Sequence, residues 1–220
     1  ALAFPDGRRV PIRIGRGLLA DLGRTARRLK PVRAALVADA GVPARWTSAA
    51  LGSLARAGIP AVLLRFPAGE SSKRLVVLER LARACSRAGL GRDGLIVGLG
   101  GGVACDLAAC LAALYLRGVP LILLPTTLLA PADAAIGGKC GVDLPEGKNL
   151  LGTVRLPAAV LSDLNTLRTL PARRRREGLA EIVKCGILDG TASFGWMESR
   201  AAALRRGAPA ALERALGIAL

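Results

Sequence analysis

Residues 98–149, GLGGGVACDLAACLAALYLRGVPLILLPTTLLAPADAAIGGKCGVDLPEGKN, constrain the fold of this chain more than any other stretch. An apolar run at 95–99 leads directly into Gly100-Gly101-Gly102, and a helix is predicted from near Val103. With no Cβ in the turn, backbone amides can approach a pyrophosphate closely, and the helix aims its positive end at the same place. Asp106 falls on the first turn of that otherwise apolar helix. A carboxylate there is costly unless it binds something, or it simply partners the helix dipole. A further strand at 121–124 closes at Pro125 and is followed by Thr126-Thr127. Their hydroxyls then stand at a strand's carboxyl end, the edge where open α/β sheets bind ligands. Asp133 lies among small apolar residues, and Gly137-Gly138-Lys139 and Gly147-Lys148-Asn149 read as two loops. Their lysines are placed to clamp phosphate and carboxylate. The stretch reads as the floor of a nucleotide and substrate site.

Strands and helices alternate around it. Residues 13–17 look like a strand end and turn, and 18–29 like a short amphipathic helix. The run 34–38 ends in Asp39, a helix covers 43–57, and 61–66 is a second run, which together make a βαβ unit. The turn 67–73 opens a helix reaching residue 88, with Ser71 or Ser72 as its cap. Glu70 and Lys73 are one helical turn apart and either face a ligand together or form a surface pair. A buried run at 158–161 ends in Asp163, then Thr169 caps a helix with Pro171 in its first turn. Glu181 and Lys184 share one face of that helix, and helical sequence continues from 192. The expected fold is α/β: a Rossmann-like N-terminal domain with a largely parallel sheet, 1–170, followed by the start of an α-helical domain, 171–220.

Composition narrows the function classes. Hydrophobic residues make up 52% and aromatics 3%, so the core is aliphatic. The net charge of +16 is carried mostly by scattered arginines with no interleaved stacking aromatics, which argues against a nucleic-acid partner and for a pull on small anions. The cluster Arg173 to Arg176 reads as a solvated helix face. Five cysteines without a C-x-x-C pair suit reduced thiols and a cytoplasmic location. Asp106, Pro120, Pro125 and Pro131 interrupt the apolar runs, so no membrane span of ~18–20 residues is expected. The opening residues lack the charged-then-apolar order of a signal peptide, and the chain contains no histidine.

The blocks PAGESSKRL, GLGGGVACDLA, YLRG, PTTLLA, GGKCGVDLPEGKN and TLPARRRREGLAEIVKCGIL resemble, in order, the successive motifs of the 3-dehydroquinate synthase family, from about Arg13 onward. The resemblance implies that Gly69, Glu70, Lys73, Gly102, Asp106, Thr126 and Thr127 contact NAD. It implies substrate or catalytic roles for Arg117, Asp133, Lys139, Lys148, Asn149 and Lys184, and makes Glu181 a ligand of a divalent metal, zinc or cobalt. The implied reaction converts 3-deoxy-arabino-heptulosonate 7-phosphate, a small anionic sugar phosphate, to 3-dehydroquinate with loss of phosphate, in a homodimer.

The sequence departs from the family at Cys105, where glycine is usual, at Ala134 and Ala135 (serines), at Cys140 (threonine) and at Asp143 (asparagine). Bulk at Cys105 is expected to crowd the cofactor turn. The family completes its metal site with two histidines further along the helical domain, which this chain lacks. A fragment, or a diverged non-catalytic NAD-binding remnant, fits that lack, and other sugar-phosphate cyclases making an inosose or a valiolone are the related alternative. The GGK and GVDLPEGKN blocks favour dehydroquinate synthase.

Overall fold

The computed structural model describes residues 1–3, 7–132 and 135–219, so the candidate Asp133 and its neighbour Ala134 lie outside the described residues. A short antiparallel pair, β1 (Leu2–Ala3) and β2 (Arg9–Val10), precedes β3 (Ile12–Gly15), α1 (Leu22–Arg27), β4 (Ala34–Asp39), α2 (Ala44–Arg56) and β5 (Ala61–Phe66). Next come α3 (Leu75–Arg87), β6 (Leu95–Gly100), α4 (Gly102–Leu114), β7 (Leu121–Pro125), β8 (Lys139–Leu144), β9 (Gly147–Val154) and β10 (Ala159–Asp163). Four helices follow: α5 (Ala172–Asp189), α6 (Thr191–Ser199), α7 (Ala201–Arg206) and α8 (Pro209–Ile218).

Six strands form one parallel sheet in the order β3-β10-β7-β6-β4-β5. Side chains alternate across a strand, and here both faces are covered. Ala35, Val37, Ile96, Leu121 and Leu123 enter one buried cluster with α3, α4 and β8. Leu36, Val97, Leu99, Ile122 and Leu124 enter the other with α1 and α2. Continuous aliphatic runs are therefore what this sheet demands, and the architecture matches the expected α/β, Rossmann-like fold. A third cluster joins Leu128, Leu164 and Leu167 to the helices through Leu179, Ile182, Met197 and Leu212. The first of those helices comes close because Gly178 has no side chain: a Cβ there would lie 2.7 Å from Leu128 Cβ.

Several local expectations are corrected. Residues 18–29 are a 3-10 turn, Leu18–Asp21, followed by α1, not one helix. Ser71 and Ser72 do not cap α3, whose N-cap is the extended Arg74; Ser72 Oγ instead donates to the Pro67 carbonyl at 2.6 Å. Thr169 does not cap α5, whose N-cap is Pro171; its hydroxyl donates to the Thr166 carbonyl and accepts from Trp46 Nε1 at 3.0 Å. The segments around Lys139 and Lys148 are not loops but the paired strands β8 and β9. Only β8 is buried, on α4, and β9 is almost wholly exposed, so no hydrophobic alternation announced the hairpin.

Cys85, Cys105, Cys110 and Cys140 are buried and Cys185 is partly accessible. Burial pushes the Cys85 thiol up to about 11 and holds Cys105 far above the ordinary thiol range. With a disulfide reagent at neutral pH, one thiol, that of Cys185, is expected to react in the native state and the other four only on unfolding. Fast modification of two or more thiols in folded protein would contradict this packing.

Candidate functional site

In this sheet β5 is laid on one side of β4, whereas β6, β7 and β10 follow on the other. The strand order thus reverses between β4 and β6, and a crevice forms where the two connections leave the carboxyl ends in opposite directions. A cleft of about 440 Å³ opens there. Its floor is Asp39 from β4, Gly101 to Val103 at the start of α4, and Thr126-Thr127 after β7; Gly69 and Glu70 form one wall. The opposite wall comes from α2 and the start of α5: Trp46, Thr169 to Pro171, Arg174 and Glu177. A shallower depression of about 550 Å³ beside α2 is lined by Leu51, Ala55, Ile59 and their neighbours and has no ionisable group.

The glycine turn is held open by its backbone. Gly100 has φ +154, its carbonyl accepts from Thr126 N at 2.8 Å, and a Cβ on Gly101 would stand 3.0 Å from Thr127 Cγ2. The first amides of α4 face the cleft with no side-chain cap. Asp39 Oδ1 accepts from Gly41 N at 2.8 Å, which fixes one carboxylate beside the turn. Cys105 is buried in the core and does not line the cleft, so the expected crowding is absent.

Lys73 and Asp106 lie beneath this floor. Asp106 is the fifth residue of α4, past its first turn, and forms a buried ion pair with Lys73. Lys73 Nζ also donates to Asn149 Oδ1 at 2.6 Å, and the Lys73 carbonyl accepts from Asp143 N at 2.7 Å. Asp143 Oδ1 accepts from Asn149 N at 2.8 Å, and Asn149 is left-handed at φ 57. Lys148 reaches Glu70 at 3.2 Å. The turn end of the β8–β9 hairpin is therefore fastened to the rim of the cleft. Glu70 lines the cleft and Lys73 is buried against Asp106; residues 70–72 form a 3-10 turn and Lys73 leaves it at ψ 59, so the helical spacing expected for the two does not apply.

Other candidates lie apart. Lys139 pairs with Val154 at the far end of the hairpin, five residues or ~17 Å of strand from Leu144. Arg117, at φ 67 in the turn leaving α4, stands at the amino end of β7, whereas the cleft is at its carboxyl end. Glu181 and Lys184 pair with each other one turn apart on α5. No group of three His, Cys, Asp or Glu that could hold a metal occurs among the described residues. Asp39, Trp46, Arg174 and Glu177 are cleft residues that sequence reasoning missed. An acid at a strand end beside a glycine turn is a usable signal for Asp39. Arg174 was hidden in a run that reads as solvated helix surface.

A model of the 3-dehydroquinate synthase N-terminal family matches residues 63–177. Over 94% of its length the chain is 47% identical to a 3-dehydroquinate synthase of Symbiobacterium thermophilum, and it spans 58% of that relative. Its fold is similar to that of 2-epi-5-epi-valiolone synthase from Streptomyces hygroscopicus, solved with NAD+ and Zn2+ bound. That match has a TM-score of 0.83 and 30% identity and covers 99% of this chain and 62% of the other. A 2-deoxy-scyllo-inosose synthase complexed with carbaglucose-6-phosphate, NAD+ and Co2+ matches with a TM-score of 0.75 and 31% identity, over 80% of this chain and 47% of that one. The matched segment contains the glycine turn, the threonine pair and the hairpin, and the chain belongs to the 3-dehydroquinate synthase family.

Proposed function

We propose that the chain is the NAD-binding portion of a 3-dehydroquinate synthase, with residues 1–170 forming the cofactor domain and 171–220 opening the helical one. The whole protein would be a lyase converting 3-deoxy-arabino-heptulosonate 7-phosphate to 3-dehydroquinate and phosphate, as a homodimer. The cleft at the strand-order reversal carries the reading. Its residues suit a dinucleotide. Uncapped α4 amides and side-chain-free Gly101 leave room for a pyrophosphate, Asp39 can accept from a ribose hydroxyl, and Thr126 and Thr127 offer hydroxyls. When bound, NAD supplies reversible oxidation of a substrate hydroxyl, which acidifies the neighbouring carbon-bound proton. Lys148 and Asn149, held at the rim through Glu70 and Lys73, are placed to orient an anionic substrate over the cofactor. Gly69 and Gly102 line the same cleft, whereas roles for Arg117, Lys139 and Lys184 rest on the family resemblance alone.

The metal does not fit on the described residues. A catalytic zinc takes about three protein ligands, and among the described residues Glu181, already paired with Lys184, is the single candidate the family resemblance offers. We therefore expect NAD+ binding without turnover. Greater identity to dehydroquinate synthases than to the inosose and valiolone synthases, 47% against 31% and 30%, favours the first substrate.

The test is titration with NAD+ followed by Trp46 fluorescence, since Trp46 lines the cleft. Saturable quenching in the parent chain, lost in Gly101→Val, is the expected outcome. A parent chain that does not bind NAD+ sinks the reading. Formation of 3-dehydroquinate by the 220 residues would overturn the single-ligand argument.

A further inference from the structure

The backbone and hydroxyls of the cleft suit its proposed occupant, but its side-chain carboxylates leave the pyrophosphate short of full positive charge. The ionisable side chains lining it, among the described residues, are Asp39, Glu70, Glu177 and Arg174: three carboxylates and one guanidinium. A dinucleotide brings a pyrophosphate with two negative charges, and helix-end amides supply only partial positive charge. Arg174 is the one full cation on the wall, on the first turn of α5. Its partner Glu177 is shared. Arg174 Nη1 and Arg173 Nε each lie 3.1 Å from a Glu177 oxygen. Glu177 is somewhat desolvated, yet its bonds to Arg173 and Arg174 hold its carboxyl below the usual range. One carboxylate thus holds two guanidiniums, and Arg174 can leave without stranding Glu177, because Arg173 stays.

Resting on the reading of this cleft as the NAD site, we propose that Arg174 is a phosphate-binding residue. It swings from Glu177 to the pyrophosphate and clamps the cofactor from the helical side of the cleft. The α4 amides hold the pyrophosphate from the sheet side and Arg174 closes over it, so NAD binding draws the start of α5 toward the glycine turn. Glu177 acts as the latch that competes with the cofactor for Arg174.

The experiment measures NAD+ affinity of the full chain, Arg174→Gln, Glu177→Gln and the double variant, each at low and high salt. Arg174→Gln is expected to weaken NAD+ about tenfold, the weight of one charge-assisted hydrogen bond, and to flatten the salt dependence. Glu177→Gln is expected to tighten binding roughly threefold, with most of that gain absent in the double variant. The Arg174 side chain is 65% exposed, so glutamine there is tolerated by the fold; Glu177→Gln removes no cation and gives an independent arm. Unchanged affinity in Arg174→Gln, a loss equal at both salt concentrations, or a Glu177→Gln gain that survives in the double variant overturns the proposal while the NAD reading stands. A parent chain that fails to bind NAD+ overturns both.

Discussion

Asp106→Ala is expected to lower the stability of the chain by about 3–5 kcal/mol, read from denaturant unfolding. The carboxylate is buried in α4 and pairs with the equally buried Lys73. Removing it leaves an ammonium inside the protein opposite one neutral acceptor, Asn149 Oδ1 at 2.6 Å. An uncompensated buried charge costs far more than the pair contributes, so the double variant Lys73→Met with Asp106→Leu should recover most of the loss. Faster amide exchange in β8 should accompany the single variant, because Lys73 also fastens Asp143 and Asn149. Family resemblance gives Lys73 and Asp106 a different role, contact with NAD. If Asp106→Ala lost NAD+ affinity at unchanged stability, that role would be correct and the structural one wrong. The geometry favours the structural role: the pair joins α4 to the hairpin carrying Lys148 and Asn149.

What was legible in the sequence follows from how far each feature depends on distant partners. The runs at 34–38, 95–99 and 121–124 became β4, β6 and β7 within a residue, because strands buried on both faces must be apolar throughout, and the run at 61–66, interrupted by exposed Arg65, became the edge strand β5. The glycine turn and Thr126-Thr127 were equally readable, since each sits at a strand end that local sequence defines. Lys73 was not. Its burial depends on Asp106 and on Asn149, which is 76 residues away, and neither leaves a periodic trace around residue 73. The hairpin was missed for a related reason: β9 presents Leu150, Leu151 and Val154 to solvent, so its pattern does not record an inside and an outside. Arg117 and Lys139 were readable as residue types at the right spacing. Neither lines the cleft, because Arg117 precedes the amino end of β7 and Lys139 opens β8, and motif spacing encodes neither placement.

Gly98→Val is the second large effect expected, about 3 kcal/mol of stability together with a loss of NAD+ affinity from a residue outside the cleft. Gly98 pairs with Val37 on one side and Leu123 on the other. A Cβ added there would lie 2.6 Å from Ala108 Cβ and 3.0 Å from Leu123 Cδ2. Ala108 is a fully buried residue of α4 with no rotamer to change, so relief comes only by lifting the helix from the sheet. The same helix carries Gly102 and Val103 into the cleft at its start. Any tilt that accommodates valine therefore moves the first amides of α4 away from Thr126 and Thr127, and small misplacements of binding groups are costly. Gly98→Ala should show a weaker form of both effects. Adding Ala108→Gly should relieve the steric part, less the ~1 kcal/mol that glycine costs inside a helix. Full NAD+ affinity in a destabilised Gly98→Val would separate the two effects and show that α4 yields at its far end while its first turn stays on the sheet.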